Sequence, residues 1–163
     1  MSGAGALERL VAIQEIRDQI ARYAIFFDDK NWDEFAELWT DDAAFIGPGM
    51  AFEGKDAVLE FLTTCLPADY NGKHMNSPAL IELTGPGRAR ARTDVVWITM
   101  DFENRIVARY DDIFRLVDGR WLFERRTEVV VPFRAGEPPM SDAALAVSSE
   151  TMRPAPEHDG AGR

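Results

Sequence analysis

An α+β fold is predicted, with three N-terminal helices packed on a curved, mainly antiparallel β-sheet. Three observations carry this expectation. Apolar residues recur at helical spacing in the first part of the chain, at Leu10, Ile13, Ile16, Ile20, Tyr23 and Phe27. Four long β-rich segments fill the second part, at 74–83, 88–101, 104–117 and 120–133, separated by short breakers such as Asp118-Gly119. Within the second segment Arg88, Arg90 and Arg92 alternate with Ala89, Ala91 and Thr93, a two-residue period with charge on one face and small residues on the other.

Taken in order, the helical spacing over 7–27 predicts a first helix, which Asp28-Asp29-Lys30 interrupts. Asn31 reads as an N-cap with Glu34 three residues on, a capping-box variant. Trp32, Phe35, Leu38 and Trp39 then give a second, short helix. Residues 43–47 read as a strand, Pro48-Gly49 as a turn, and Phe52-Glu53-Gly54 as the lead into a third helix over 55–66. The meander follows. Helices first and strands afterwards is the order of an α+β layout. From residue 134 the composition shifts to Pro, Gly, Ala and Ser. The expected division is therefore a domain over 1–133 and a partly disordered extension over 134–163, with a helix at 141–150.

Composition narrows the function. A chain of 163 residues suits one domain. The formal charge of −10 argues against binding a phosphate backbone, which needs clustered Lys and Arg. One cysteine, Cys65, excludes an internal disulfide and a thiolate metal site. With no signal-peptide pattern at the start and no apolar run near the ~20 residues that span a bilayer, a cytoplasmic protein is expected, with no membrane or nucleic-acid partner. With two histidines and no histidine–carboxylate cluster, no metal site is expected. No phosphate-binding loop, dinucleotide fingerprint or nucleophile elbow is present, and no cofactor is expected.

Several strings carry a family resemblance. Tyr23-Ala24-Ile25-Phe26-Phe27-Asp28-Asp29-Lys30-Asn31-Trp32 resembles the Tyr-x4-Asp-x3-Trp segment that ends the first helix of bile-acid 7α-dehydratase, and its Asp-x3-Trp part resembles scytalone dehydratase. Trp39-Thr40-Asp41-Asp42-Ala43 and Gly54-Lys55-Asp56-Ala57 resemble the strand entry and third-helix start of the same family. His74 opens a strand where these dehydratases carry a histidine, and Tyr110-Asp111-Asp112 with Asp118-Gly119-Arg120-Trp121 is similar to their closing hairpin. Over residues 7–133 the chain thus resembles the SnoaL-like, nuclear-transport-factor-2-like superfamily. The resemblance implies a cone-shaped fold with a pocket, in a superfamily that holds dehydratases, isomerases, hydrolases, cyclases, dioxygenase β subunits and binding proteins.

Strand parity says which side chains meet. If Ala89, Ala91, Thr93 and Val95 point inward, Trp97 and Thr99 do too; with the Asp118-Gly119 turn placed as in the family, Ala108, Tyr110, Asp112 and Phe114 share that concavity. His74 is the sharpest candidate, because an ordinary imidazole pKa near ~6.5 suits proton transfer at neutrality. The other histidine, His158, lies in the extension. On residue type alone a structural imidazole is the simpler reading; the resemblance reverses that. It implies Asp28 as the partner of one ring nitrogen and Tyr23 as a hydrogen-bond donor to a carbonyl or leaving oxygen. Phe27, Trp97, Thr99, Tyr110 and Asp112 are the expected substrate-binding residues, and Arg125 and Arg126 are weaker candidates to anchor a carboxylate.

The sequence departs from both relatives. Phe27 stands at a catalytic tyrosine of scytalone dehydratase, Ala108 and Tyr110 at its serine and asparagine, and Trp97 about where the bile-acid enzyme carries an acid. The expected activity is therefore a cofactor-independent, dehydratase-type lyase acting on a small hydrophobic, hydroxylated substrate, aromatic or polycyclic. The alternatives are an isomerase with the same proton shuttle, or a non-catalytic β subunit or ligand-binding partner of a ring-hydroxylating dioxygenase. A homo-oligomer, trimer before dimer, is expected from Val96, Ile98, Val107, Ile113 and Val130 on the outer sheet face. Arg88, Arg90 and Arg92 are expected to pair across that interface, and the chain after Phe133 to lie at a pocket mouth.

Overall fold

The computed structural model describes residues 3–66 and 71–131. The extension, with its expected helix at 141–150 and its place at a pocket mouth, lies outside the described residues. The elements run α1 (Gly3–Asp28), α2 (Trp32–Ala36), β1 (Trp39–Gly47), β2 (Met50–Glu53), α3 (Lys55–Thr64), β3 (Gly72–Asn76), β4 (Leu80–Gly85), β5 (Arg88–Thr99), β6 (Arg105–Val117) and β7 (Arg120–Val130). They form the expected α+β fold, with helices on one mixed, seven-stranded sheet ordered β2-β1-β7-β6-β5-β3, in which β4 also pairs with β5. The β1–β7 pair is parallel and the remaining pairs are antiparallel.

Helix α1 ends where its backbone turns back on itself. Asn31 N–H donates to the Phe26 carbonyl at 2.8 Å, and Lys30 takes a φ of 58°. This left-handed C-terminal closure satisfies carbonyls that the helix leaves open. It also fixes Asp28 at a sharp corner facing the sheet edge. Ile16, Ile20, Tyr23 and Phe27 form the buried face of α1, whereas Leu10 is 64% exposed, so the apolar stripe outruns the core. Asn31 makes no side-chain cap, contrary to the capping box expected there. Trp39 begins β1 rather than ending α2, because Leu38 and Trp39 reach β7: Phe123 N–H donates to the Leu38 carbonyl at 2.8 Å, and Trp39 pairs with Phe123. Sheet pairing outweighs the helical spacing of two tryptophans.

Strand β2, which the sequence reading leaves as a lead-in, pairs with β1 through Phe45 and Phe52. The single strand expected over 74–83 is two. Ser77-Pro78 divides it: Ser77 N–H donates to the Asp94 carbonyl at 2.8 Å and Asp94 N–H to Ser77 Oγ at 3.1 Å, and Pro78 has no N–H to continue the ladder. At the start of β3 a Cβ on Gly72 would collide with the Trp97 ring and lie 2.8 Å from the Ile98 carbonyl oxygen. Only glycine lets Trp97 cover that strand and form part of the pocket wall. Asp118 and Gly119 both take positive φ, 49° and 78°, in the tight hairpin joining β6 and β7.

The inward parity of β5 and β6 is as expected: Ala89, Ala91, Thr93, Val95, Trp97 and Thr99 are buried, as are Ala108, Tyr110, Asp112 and Phe114. Strand β7 changes parity midway. Trp121 and Phe123 face inward, but a bulge between Phe123 and Arg125 turns Arg126 inward opposite Asp112, with Glu128 opposite Tyr110 and Val130 opposite Ala108. Val130 therefore belongs to the concave face, which corrects its assignment to the outer one. The three arginines of β5 are also paired within the chain, Arg90 with Glu82 at 2.6 Å, Arg92 with Asp111 at 2.7 Å, and Arg88 with Glu124, rather than left for a neighbouring copy.

Candidate functional site

Asp28, the last residue of α1, holds His74 twice. One carboxylate oxygen accepts the His74 backbone N–H at 2.8 Å and the other lies 2.6 Å from Nδ1. Both side chains are 4% exposed. A carboxylate only accepts, so in the neutral imidazole Nδ1 carries the proton and Nε2 keeps its lone pair. Nε2 points toward the Tyr110 hydroxyl, 3.4 Å away. The ring is clamped edge-on by Phe27 and Tyr23, with centroids 5.3 and 5.9 Å distant. The main chain of β3 and the ring it carries are thus both registered to one carboxylate at the end of another element.

This imidazole lines an open-mouthed cavity of about 400 Å³ bounded by the concave sheet face, α1 and α3, with Phe45, Phe61, Leu62, Val95, Trp97, Ile106 and Val130 among its apolar walls. That size and mixture, a largely apolar chamber with a few convergent polar groups, is typical of small-molecule sites. Its polar groups are Tyr23, His74, Tyr110, Glu128 and the Cys65 thiol. Burial pushes the Tyr23 hydroxyl up to about 12, against the opposing pull of Arg126, and holds Tyr110 well above its ordinary value. Both phenols therefore remain protonated donors at neutral pH. Burial also raises the Glu128 carboxyl, again against Arg126, and the Cys65 thiol.

Six of the expected residues meet around this cavity: His74, Asp28 behind it, Tyr23, Phe27, Trp97 and Tyr110. Two do not. Asp112 is 2% exposed and accepts both Nε and Nη2 of Arg126 at 2.8 Å, a closed bidentate pair that does not line the cavity. Thr99 turns its hydroxyl to the β5–β6 connection, receiving the Asn104 N–H at 3.0 Å and bonding Asp101. Both are buried by parity as expected, but nearby polar partners consume them.

Arg126 does not anchor a ligand carboxylate from the cavity lining. Its guanidinium carbon sits 3.8 Å from the Tyr23 ring centroid and 4.0 Å from that of Tyr110, so the cation is a strut between the two phenols. Asp112 holds its pKa up against the desolvation that would lower it. Arg125 is exposed on the other face. Sequence reasoning missed Glu128, and the signal that would have found it is the bulge, which the sequence does not advertise.

The model of the SnoaL-like domain family matches residues 8–127. The chain belongs to this family. Among solved structures of similar fold, the SnoaL-like chain resembles a scytalone dehydratase candidate from Novosphingobium aromaticivorans, with a TM-score of 0.64 and 24% identity over 80% of this chain and 95% of that one. It is also similar to the hexachlorocyclohexane dehydrochlorinase LinA-type3 of Novosphingobium barchaimii, with a TM-score of 0.68 and 21% identity over 82% and 99% of the two chains. A third similar structure is a candidate β subunit of an aromatic-ring-hydroxylating dioxygenase from Novosphingobium aromaticivorans, with a TM-score of 0.65 and 21% identity over 77% and 93%. No curated protein matches the sequence. Identities at this level speak for the shared fold. No helix among the described residues is long and apolar enough to cross a membrane.

Proposed function

We propose that this SnoaL-like chain is a cofactor-independent lyase that eliminates water from a small, apolar, hydroxylated molecule. The observation that carries the proposal is the Asp28–His74 pair, with Nδ1 committed to the carboxylate and Nε2 turned to an apolar cavity, where the Tyr110 hydroxyl approaches it at 3.4 Å. Nε2 takes a proton from a carbon next to an electron-withdrawing group. The C–H electrons form the new double bond as the neighbouring C–O bond breaks, and the departing oxygen receives the proton from the imidazolium. Asp28 stabilises that imidazolium and keeps the ring oriented. Tyr23, protonated and buried, donates to the carbonyl or the leaving oxygen, where developing charge makes a fixed donor most useful. Positioning plus one acid–base group worth ~100- to 10,000-fold suffices for an activated substrate.

The two enzyme neighbours support elimination as a reaction this fold can host; the printed substrates stay with those proteins. The decisive experiment incubates the purified chain with a panel of β-hydroxy ketones and hydroxylated polycycles and weighs the products. Loss of water that disappears in His74→Gln is expected. A product of unchanged mass would replace the lyase by an isomerase using the same proton shuttle, and no turnover by a chain that co-purifies with an iron-containing oxygenase subunit would favour the β-subunit reading. Homotrimer formation through the outer sheet face belongs to the same proposal, and light scattering at micromolar concentration tests it against a dimer or an 18.3 kDa monomer.

A further inference from the structure

Glu128 has no place in the chemistry above, yet it is the carboxyl group that the β7 bulge turns into the cavity. Its cross-strand neighbour is Tyr110, whose hydroxyl approaches His74 Nε2, so Glu128, Tyr110 and His74 follow one another across the chamber from β7 to β3. No hydrogen bond or ion pair joins the Glu128 side chain to another described residue, whereas Asp94, Asp111, Asp112 and Glu124 on the neighbouring stretches of β5, β6 and β7 are each bonded to an arginine. Among the described residues no lysine or arginine lines the cavity. Arg126, the cation nearest by sequence, gives two nitrogens to Asp112 and lies between two tyrosine rings; its Nη1 is buried but outside the cavity lining.

We infer that Glu128 sets the charge class of the substrate: the cavity takes neutral or cationic molecules that carry a hydroxyl or ammonium donor for this carboxylate, and rejects anions. This deepens the lyase reading, on which it rests for the identity of the pocket. An anionic group entering the chamber would meet no lysine or arginine among the described lining residues and would face two carboxylates, Glu128 directly and Asp28 behind the imidazole. In a partly desolvated site such like charges at contact distances lower affinity by at least about tenfold. A hydroxyl or ammonium group instead supplies the donor that Glu128 lacks, and a charge-assisted bond is the stronger kind. Carboxylates, phosphates and sulfate esters are thereby excluded as substrates, together with any carrier thioester that would place its phosphates at this wall.

The test is calorimetric and needs no turnover. Three para-substituted biphenyl probes with the same apolar body, the methanol, the methylamine and the sulfonate, are titrated into the full-length chain, into Glu128→Gln and, as a second variant of different volume, into Glu128→Ala. The wild-type chain is expected to bind the alcohol and the amine at least about tenfold more tightly than the sulfonate. In either variant that melts like the wild type, the gap between amine and sulfonate should shrink to within about threefold, chiefly through loss of amine affinity. Equal or tighter sulfonate binding by the wild type, a charge preference that survives removal of Glu128, or failure of all three probes to bind would each overturn the inference. Failure here with His74-dependent water loss intact would remove only the charge filter. A charge filter without turnover would remove only the lyase.

Discussion

The Asp28–His74 and Asp112–Arg126 pairs are chemically similar and functionally opposite. Each sets a carboxylate against a nitrogen base or cation, with side chains no more than 4% exposed, and the two share the same aromatic surroundings through Tyr23 and Tyr110. In Asp112–Arg126 both carboxylate oxygens meet guanidinium nitrogens at 2.8 Å, and the cation is covered by rings. In Asp28–His74 the second carboxylate oxygen goes to the backbone of His74, and the second ring nitrogen faces the cavity. The first pair is closed and braces the phenols. The second turns one ring nitrogen to the cavity, where the Tyr110 hydroxyl approaches it at 3.4 Å, and that atom is where chemistry is possible. Burial of charge alone does not separate a strut from a site; the nitrogen turned to the cavity does.

Breaking the closed pair from one side should give the largest effect. Arg126→Met leaves Asp112 buried without a cation and is expected to cost ~3–5 kcal/mol of stability, whereas the double variant Arg126→Met/Asp112→Leu should recover most of that loss. Denaturant melting measures both, and a single variant as stable as wild type would remove Arg126 as a strut. The open pair should behave differently. His74→Gln is expected to lower turnover at least ~100-fold, about 2.7 kcal/mol of transition-state stabilisation, with a nearly unchanged melting curve. More than about a tenth of wild-type activity in the folded variant would defeat the acid–base assignment.

Asp28→Asn should reduce the turnover number strongly while leaving ligand affinity nearly intact, because Asp28 orients the imidazole and does not touch substrate. A loss confined to binding would make Asp28 a substrate contact instead.

The smallest effect belongs to the surface, where Arg115 hydrogen-bonds Asp42 and lowers its pKa from an ordinary 3.8 to about 2. A carboxyl depressed by folding contributes stability above its unfolded pKa and loses that contribution as pH falls through its folded value. Asp42→Asn should therefore flatten the acid limb of the stability profile between those two values, and only slightly, since the Asp42 side chain is 63% exposed and solvent screens the pair. An unchanged acid limb would place that limb's slope elsewhere.

The same comparison shows where sequence was readable. The inward faces of β5 and β6 follow from alternation long enough to fix parity, and Tyr110 and Trp97 fall on the cavity wall as parity requires. Asp28 and His74 are legible because their surrounding strings resemble those of a family in order and spacing. Asp112 is closed off from the cavity for a reason its own strand does not show: its partner Arg126 faces inward only after the bulge at Glu124, and a parity shift of one residue reverses every later side chain. The same shift hid Glu128 and moved Val130 to the concave face. The split between β3 and β4 is visible in Pro78, whose missing N–H ends a ladder. Trp39 shows the converse, a residue at helical spacing captured by a parallel strand partner.

Nitrogen NMR of the His74 imidazole is the most direct test of the account, since it reads the cavity-facing nitrogen without a substrate. In the neutral wild-type ring, Nδ1 should appear protonated and Nε2 bare, and Asp28→Asn should disturb this tautomer while Asp112→Asn leaves it in place. A neutral wild-type ring that carries its proton on Nε2 would turn a donor, not a base, toward the cavity and would contradict the account at its centre.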